Sequence, residues 1–153
     1  MNNKKDFIVK KAIMDLFQNG IIEIEITSLK KLKEPTYFWL SENGDGIKVN
    51  KLKYDTLKWE EFNEIVKVAN GFDGVIYRGD IKAQDGKKVG KEINANCIEG
   101  VVAYMRNVKK GKSTTRRSTY YSGVLEKAGI ATIHKSNGQG SFITINEKYR
   151  DIK

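Results

Sequence analysis

Apolar positions recur along this chain with two periods, and the switches between the periods predict its elements. In residues 5–18 (KDFIVKKAIMDLFQ), Phe7, Ile8, Ala12, Ile13, Leu16 and Phe17 fall on one side at helical spacing. Asn19-Gly20 ends that helix, glycine being suited to a left-handed cap. Ile21, Ile22, Ile24 and Ile26 then alternate with Glu23, Glu25 and Thr27, which predicts a strand with one buried face. Pro35, the single proline, breaks the chain before a second strand, Thr36 to Leu40. Asn43-Gly44-Asp45-Gly46 signals a turn, and the alternation from Ile47 to Tyr54 a third strand. A helix opens at Thr56 with Glu60 and Glu61 in its first turns, where acids suit the dipole. Trp59, Phe62, Ile65, Val66 and Ala69 form its apolar stripe, and it stops near Asn70-Gly71.

Beyond a short strand at residues 74–77, residues 78–92 are polar, carry three glycines and read as a loop. Ile98, Val101, Val102 and Met105 then follow i, i+3, i+4, i+7, predicting a helix of about 14 residues capped by Asn94 or Asn96. A basic turn at residues 109–112 leads to a further helix over residues 113–128. Residues 130–134 and 141–146 read as strands joined by a tip of turn formers that includes Gly138 and Gly140. The fold class is therefore α+β: a small N-terminal α/β module (1–77), a boundary loop (78–92) and a C-terminal unit (93–153). No internal repeat interrupts this order.

Charge sharpens the division. Residues 1–80 hold 13 Lys and Arg against 13 Asp and Glu, whereas residues 81–153 hold 15 against 6, so the whole net charge of +9 lies in the second half. A one-sided basic surface is what a polyanion requires, because each phosphate neutralised releases counterions. The 31% of charged residues is well mixed with 39% apolar ones, as in a folded soluble protein. No apolar run approaches the ~20 residues of a membrane-spanning helix, and the first residues lack a secretory pattern, so a cytoplasmic protein is expected. Cys97, the only cysteine, excludes an internal disulfide and a multi-cysteine metal site, and its apolar neighbours predict a buried thiol.

A helix, a short turn, a helix ending in Val124-Leu125-Glu126-Lys127-Ala128-Gly129-Ile130 and a hairpin: this order resembles the winged-helix family of DNA-binding domains over residues 94–146. The resemblance implies that helix 113–128 is a recognition helix on duplex DNA and hairpin 130–146 the wing. Two departures stand out. The family usually has three helices before the wing, so the first must come from elsewhere, residues 57–70 being available. Ser122 stands where leucine is common, leaving Tyr121 to supply that core contact.

The residues of the turn and helix support the same reading by their chemistry. A helix start favours an anion such as phosphate, and Ser113, Thr114 and Thr115 add hydroxyl donors there. Arg116 and Arg117 in a first helical turn oppose the dipole, a placement that a phosphate or a guanine edge would justify. Helical spacing puts Arg116, Thr119, Tyr120 and Gly123 on one face, of which Arg116, Thr119 and Tyr120 are assigned to the groove, and Tyr121 and Leu125 to the core, with Arg117 at the margin. Pairing of the arginines with Glu99 or Glu126 is the competing arrangement. Lys109, Lys110 and Lys112 suit phosphate contacts that position without reading sequence, and Lys135, Asn137 and Gln139 at the hairpin tip could reach an adjacent groove.

Enzymatic readings have less to stand on. His134 is the only histidine, so common zinc sites and His-pair metal centres are not available, and a structural role is expected for it. A magnesium-dependent nuclease would need acids and a lysine, for which Glu23, Glu25, Lys30, Asp73 and Asp80 are the pieces. No phosphate loop of the Walker or dinucleotide type occurs, and no cofactor is expected. The leading expectation is a transcriptional regulator on duplex DNA, with the N-terminal half serving in homodimerisation, partner binding or regulation. A nuclease or DNA-processing accessory protein, an RNA-binding protein and a protein-interaction module stay open as alternatives.

Overall fold

In a computed structural model of the chain, residues 6–26, 34–80, 83, 85–135 and 140–153 are described. Helix α1 (Asp6–Met14) continues into a 3-10 turn, Asp15–Phe17. Strands β1 (Ile24–Ile26), β2 (Thr36–Leu40), β3 (Gly46–Val49) and β4 (Leu57–Lys58) form an antiparallel sheet in chain order, and α2 (Trp59–Asn70) follows. Then come β5 (Val75–Tyr77), α3 (Ile98–Met105), α4 (Ser118–Lys127), β6 (Ala131–His134) and β7 (Phe142–Ile145), with a 3-10 turn at Glu147–Tyr149. The α+β class holds.

The second sheet has the order β5-β7-β6, all antiparallel, so the strand before the polar loop joins the C-terminal hairpin. Helix α2 lies centrally and packs on α1, α3, β5 and β7. Its predicted stripe is correct: Phe62, Ile65, Val66 and Ala69 are fully buried, with Trp59 partly so. The N–H of Lys58 donates to Glu61 Oε1 (2.9 Å), which closes the helix start. A single cluster runs from Val9 and Ile13 through Phe38, Ile47 and Leu57 to Val124, Leu125, Ile143 and Ile152, drawing on both halves of the sequence.

Several expectations need correction. The buried side of α1 is Val9 and Ile13, whereas Phe7 and Ile8 are exposed. Ile21 and Ile22 lie outside β1 and in solvent, because Asn19 and Gly20, both at positive φ, turn the chain first. The third strand stops at Val49 rather than Tyr54. Helix α3 has 8 residues, with Cys97 at its N-cap position and neither asparagine as the cap. Cys97 itself is buried as expected, its thiol directed at the Asn94 carbonyl (3.4 Å).

Candidate nucleic-acid interface

The largest correction concerns the proposed recognition helix. Regular helix begins at Ser118, and residues 112–117 adopt neither helix nor strand. The cause is a side chain far back in sequence. The Glu99 carboxylate, 1% exposed, accepts the N–H of Arg117 (3.0 and 2.9 Å) and of Ser118 (3.1 Å). The protein thus supplies its own anion at the start of α4, where a phosphate was expected. Burial pushes the Glu99 carboxyl above its ordinary value, and those N–H bonds act against that rise.

Arg117 is turned inward. Its Nε donates to Asp55 Oδ2 (2.6 Å), and its side chain is only 16% exposed. Asp55 also takes Arg106 Nη1 (2.5 Å), while Arg106 Nε and Nη2 donate to Glu61 Oε2 (2.7 Å) and Oε1 (3.0 Å). The Tyr121 hydroxyl donates to Glu61 Oε1 (2.7 Å). Burial alone would raise the Asp55 carboxyl, yet the bonds from Arg106 and Arg117 hold it below its ordinary value. Burial and the Glu61 carboxylate both raise the Tyr121 hydroxyl. The competing arrangement foreseen for the arginines is therefore realised for Arg117, with Asp55 as the partner rather than Glu99 or Glu126. Nothing in the sequence flags Asp55, which lies 62 residues away.

The face of α4 assigned to the groove is largely occupied. Gly123 is buried against β1, so closely that a Cβ there would collide with Ile26 Cγ2. The Thr119 hydroxyl accepts from the buried Arg78 guanidinium, which also faces Asp80 at 3.7 Å. Burial lowers Arg78 from its ordinary value, against Asp80 and Glu99. Tyr120 is half-buried, and burial raises its hydroxyl. Tyr121 and Leu125 are core residues, as expected.

What reaches solvent is the approach to α4. Lys109, Lys110, Lys112, Ser113, Thr115 and Arg116 are exposed, and Thr114 is half-buried. This segment is pinned by backbone bonds: Val108 N to Ala103 O (2.9 Å), Gly111 N to Val89 O (2.9 Å) and Val89 N to Lys112 O (2.8 Å). The last two bring residues 87–91, read from sequence as a boundary loop, against the basic turn. Their exposed lysines, Lys87, Lys88 and Lys91, were missed because no local pattern announces that approach.

Lys135 is exposed at the end of β6, and Asn137 and Gln139 lie outside the described residues. His134 Nε2 is 2.8 Å from Thr144 Oγ1 and its ring stacks on Phe142. Of the nuclease pieces, Glu23, Glu25 and Asp73 are exposed, Asp80 faces Arg78, and Lys30 lies outside the described residues. Among the described residues, no three His, Cys, Asp or Glu side chains gather in a way that could hold a metal ion, and no helix is long and apolar enough to cross a membrane. No protein-family model, no curated protein and no solved structure matches the chain.

Proposed function

We propose that this chain is a duplex-DNA-binding protein with a winged-helix-like scaffold, serving as a transcriptional regulator, and that it grips the phosphate backbone through residues 109–116. The observation that carries the reading is the run of four exposed cations, Lys109, Lys110, Lys112 and Arg116, in a stretch with no carboxylate between Glu99 and Glu126. Exposed cations held on a pinned backbone present phosphate contacts with little backbone ordering cost. The scaffold reading draws support from the element order, in which the helices α2, α3 and α4 precede the β6–β7 hairpin, and from the packing of α2 on α3. With Gly123 covered and Arg117 bound to Asp55, the contact belongs to the approach and first turn of α4 rather than to its length.

The test is binding of the full chain to random duplex, single-stranded DNA and structured RNA by fluorescence anisotropy at several salt concentrations. Log affinity for duplex is expected to fall linearly with log salt. Replacing Lys109, Lys110 and Lys112 by alanine should make that slope shallower by about 1 for each phosphate no longer neutralised. Duplex binding that ignores salt, or survives the triple replacement unchanged, would refute the reading; a preference for RNA would redirect it.

A further inference from the structure

The segment between β5 and α3 reads as a polar boundary in sequence, but its backbone is built into the molecule. Val89 is hydrogen-bonded on both sides to the 109–112 turn, through Lys112 O and Gly111 N. The loop is also closed on itself, with Gly90 N donating to Ile93 O (2.8 Å) and Ile93 N to Lys88 O (3.2 Å). Val89 and Ile93 are buried and anchor it, while Lys87, Lys88 and Lys91 between and beside them are exposed. Gly90 lets the two turns approach: a Cβ there would lie 2.6 Å from Lys110 Cγ.

Two abutting turns thus carry six exposed lysines: 87, 88 and 91 on one, 109, 110 and 112 on the other. Asp85 and Glu92 are the only acids between residues 81 and 98. Glu92 Oε2 is engaged in the turn, accepting the N–H of Lys88 (3.0 Å). Backbone N–H bonds, with Lys87 and Lys91 nearby, hold its carboxyl below its ordinary value. Six like charges on a pinned surface repel one another, mildly in water, and Glu92 beside Lys87 and Lys91 sets one negative charge against them. A phosphodiester backbone turns that arrangement to advantage by releasing counterions.

We infer that Lys87, Lys88 and Lys91 join Lys109, Lys110 and Lys112 in one phosphate-binding surface for duplex DNA, the loop between β5 and α3 being part of the contact. The inference rests on the DNA-binding reading and adds a second rank of contacts to it. The contacts are with phosphates, so they strengthen all sequences alike.

The test is the triple variant Lys87→Gln, Lys88→Gln, Lys91→Gln in the full chain, beside the alanine variant at 109, 110 and 112. The three side chains are exposed, and a circular dichroism spectrum matching the parent checks that the fold is kept. On random duplex, the salt slope is expected to be shallower by about 2–3, with the same fractional loss of affinity on duplexes of different sequence. Parental slope and affinity in the glutamine variant, while the 109–112 variant is impaired, would overturn this inference alone. Failure of the parent to bind duplex, or parental binding by both variants, would overturn the DNA-binding reading and this inference with it. A loss confined to one duplex sequence would overturn the assignment to phosphates.

Discussion

Glu99 decides more of this region than any other side chain. It is nearly inaccessible, yet its carboxylate is the cap for α4 and stands near Asp80 and Arg78. Because burial lifts its folded value above the ordinary 4.5, the folded chain binds the Glu99 proton more tightly than the unfolded chain does. Its stabilising share is therefore complete below about that pH and is lost as pH climbs through the raised folded value. Glu99→Gln cannot titrate, so its unfolding free energy relative to the parent should rise across that window. Urea titrations at a series of pH values from acid to neutral measure this difference; a pH-independent difference would sink the argument. Asp55 acts in the opposite sense, since Arg106 and Arg117 hold it low and its contribution is lost only as pH falls below the ordinary carboxylate range. Both chains retain Asp55, whose loss lies on the acid side of the ordinary carboxylate range, whereas the Glu99 difference develops on the other side, so the two are separated by pH.

Helix α4 shows how an element can be legible in kind and misplaced in detail. Its core residues Tyr121 and Leu125 follow from spacing, as do the α2 stripe and the β6–β7 hairpin, because each rests on a local period. Its start does not, since the cap comes from Glu99, 18 residues upstream, and β-branched Thr114 and Thr115 resist helix without announcing where helix begins. Gly123 was equally opaque: at helical spacing it falls on the face with Arg116 and Thr119, and only the sheet shows that the face is covered. Gly123→Ala would gain about 1 kcal/mol of helix propensity. The added methyl, however, would collide with Cγ2 of the stiff, β-branched Ile26, an overpacking that costs about 1–3 kcal/mol. Net destabilisation is expected in thermal or urea unfolding. Ile26→Ala removes the obstructing atoms, so Gly123→Ala should be less harmful, or favourable, on that background. Equal effects in both backgrounds would mean that α4 does not pack on β1 through these atoms.

At the scale of the whole molecule, charge asymmetry suggested two halves, and packing joins them. Sequence shows net charge per segment but not pairing across it: Asp55 and Glu61 come from the neutral half, and the Arg106 and Arg117 they bind come from the basic one. Two of the sequence's C-terminal cations, Arg106 and Arg117, are thereby turned toward the first half, and Arg150 lies beside Gly74. Asn70 Nδ2 donates to the carbonyls of Tyr149 (3.0 Å) and Ile152 (2.6 Å), and β5 completes the hairpin sheet along Val75–Tyr77. A fragment of residues 93–153 would lose β5 and the α2 face and expose Val101, Val102, Tyr121, Val124, Leu125, Ile143 and Ile145 together. Each large apolar side chain returned to water costs about 1.5–3 kcal/mol, so a few of them exceed the ~5–15 kcal/mol by which a domain is stable. The fragment is expected to lack a cooperative unfolding transition. In the intact chain, Trp39 and Trp59 report on the first half only, while far-UV circular dichroism reports on the whole. Their urea transitions should coincide if one core governs both halves. Separate midpoints, or a fragment that unfolds cooperatively by itself, would show that the basic half carries its own stability and that its lysine-bearing turns can be studied apart from α1 and α2.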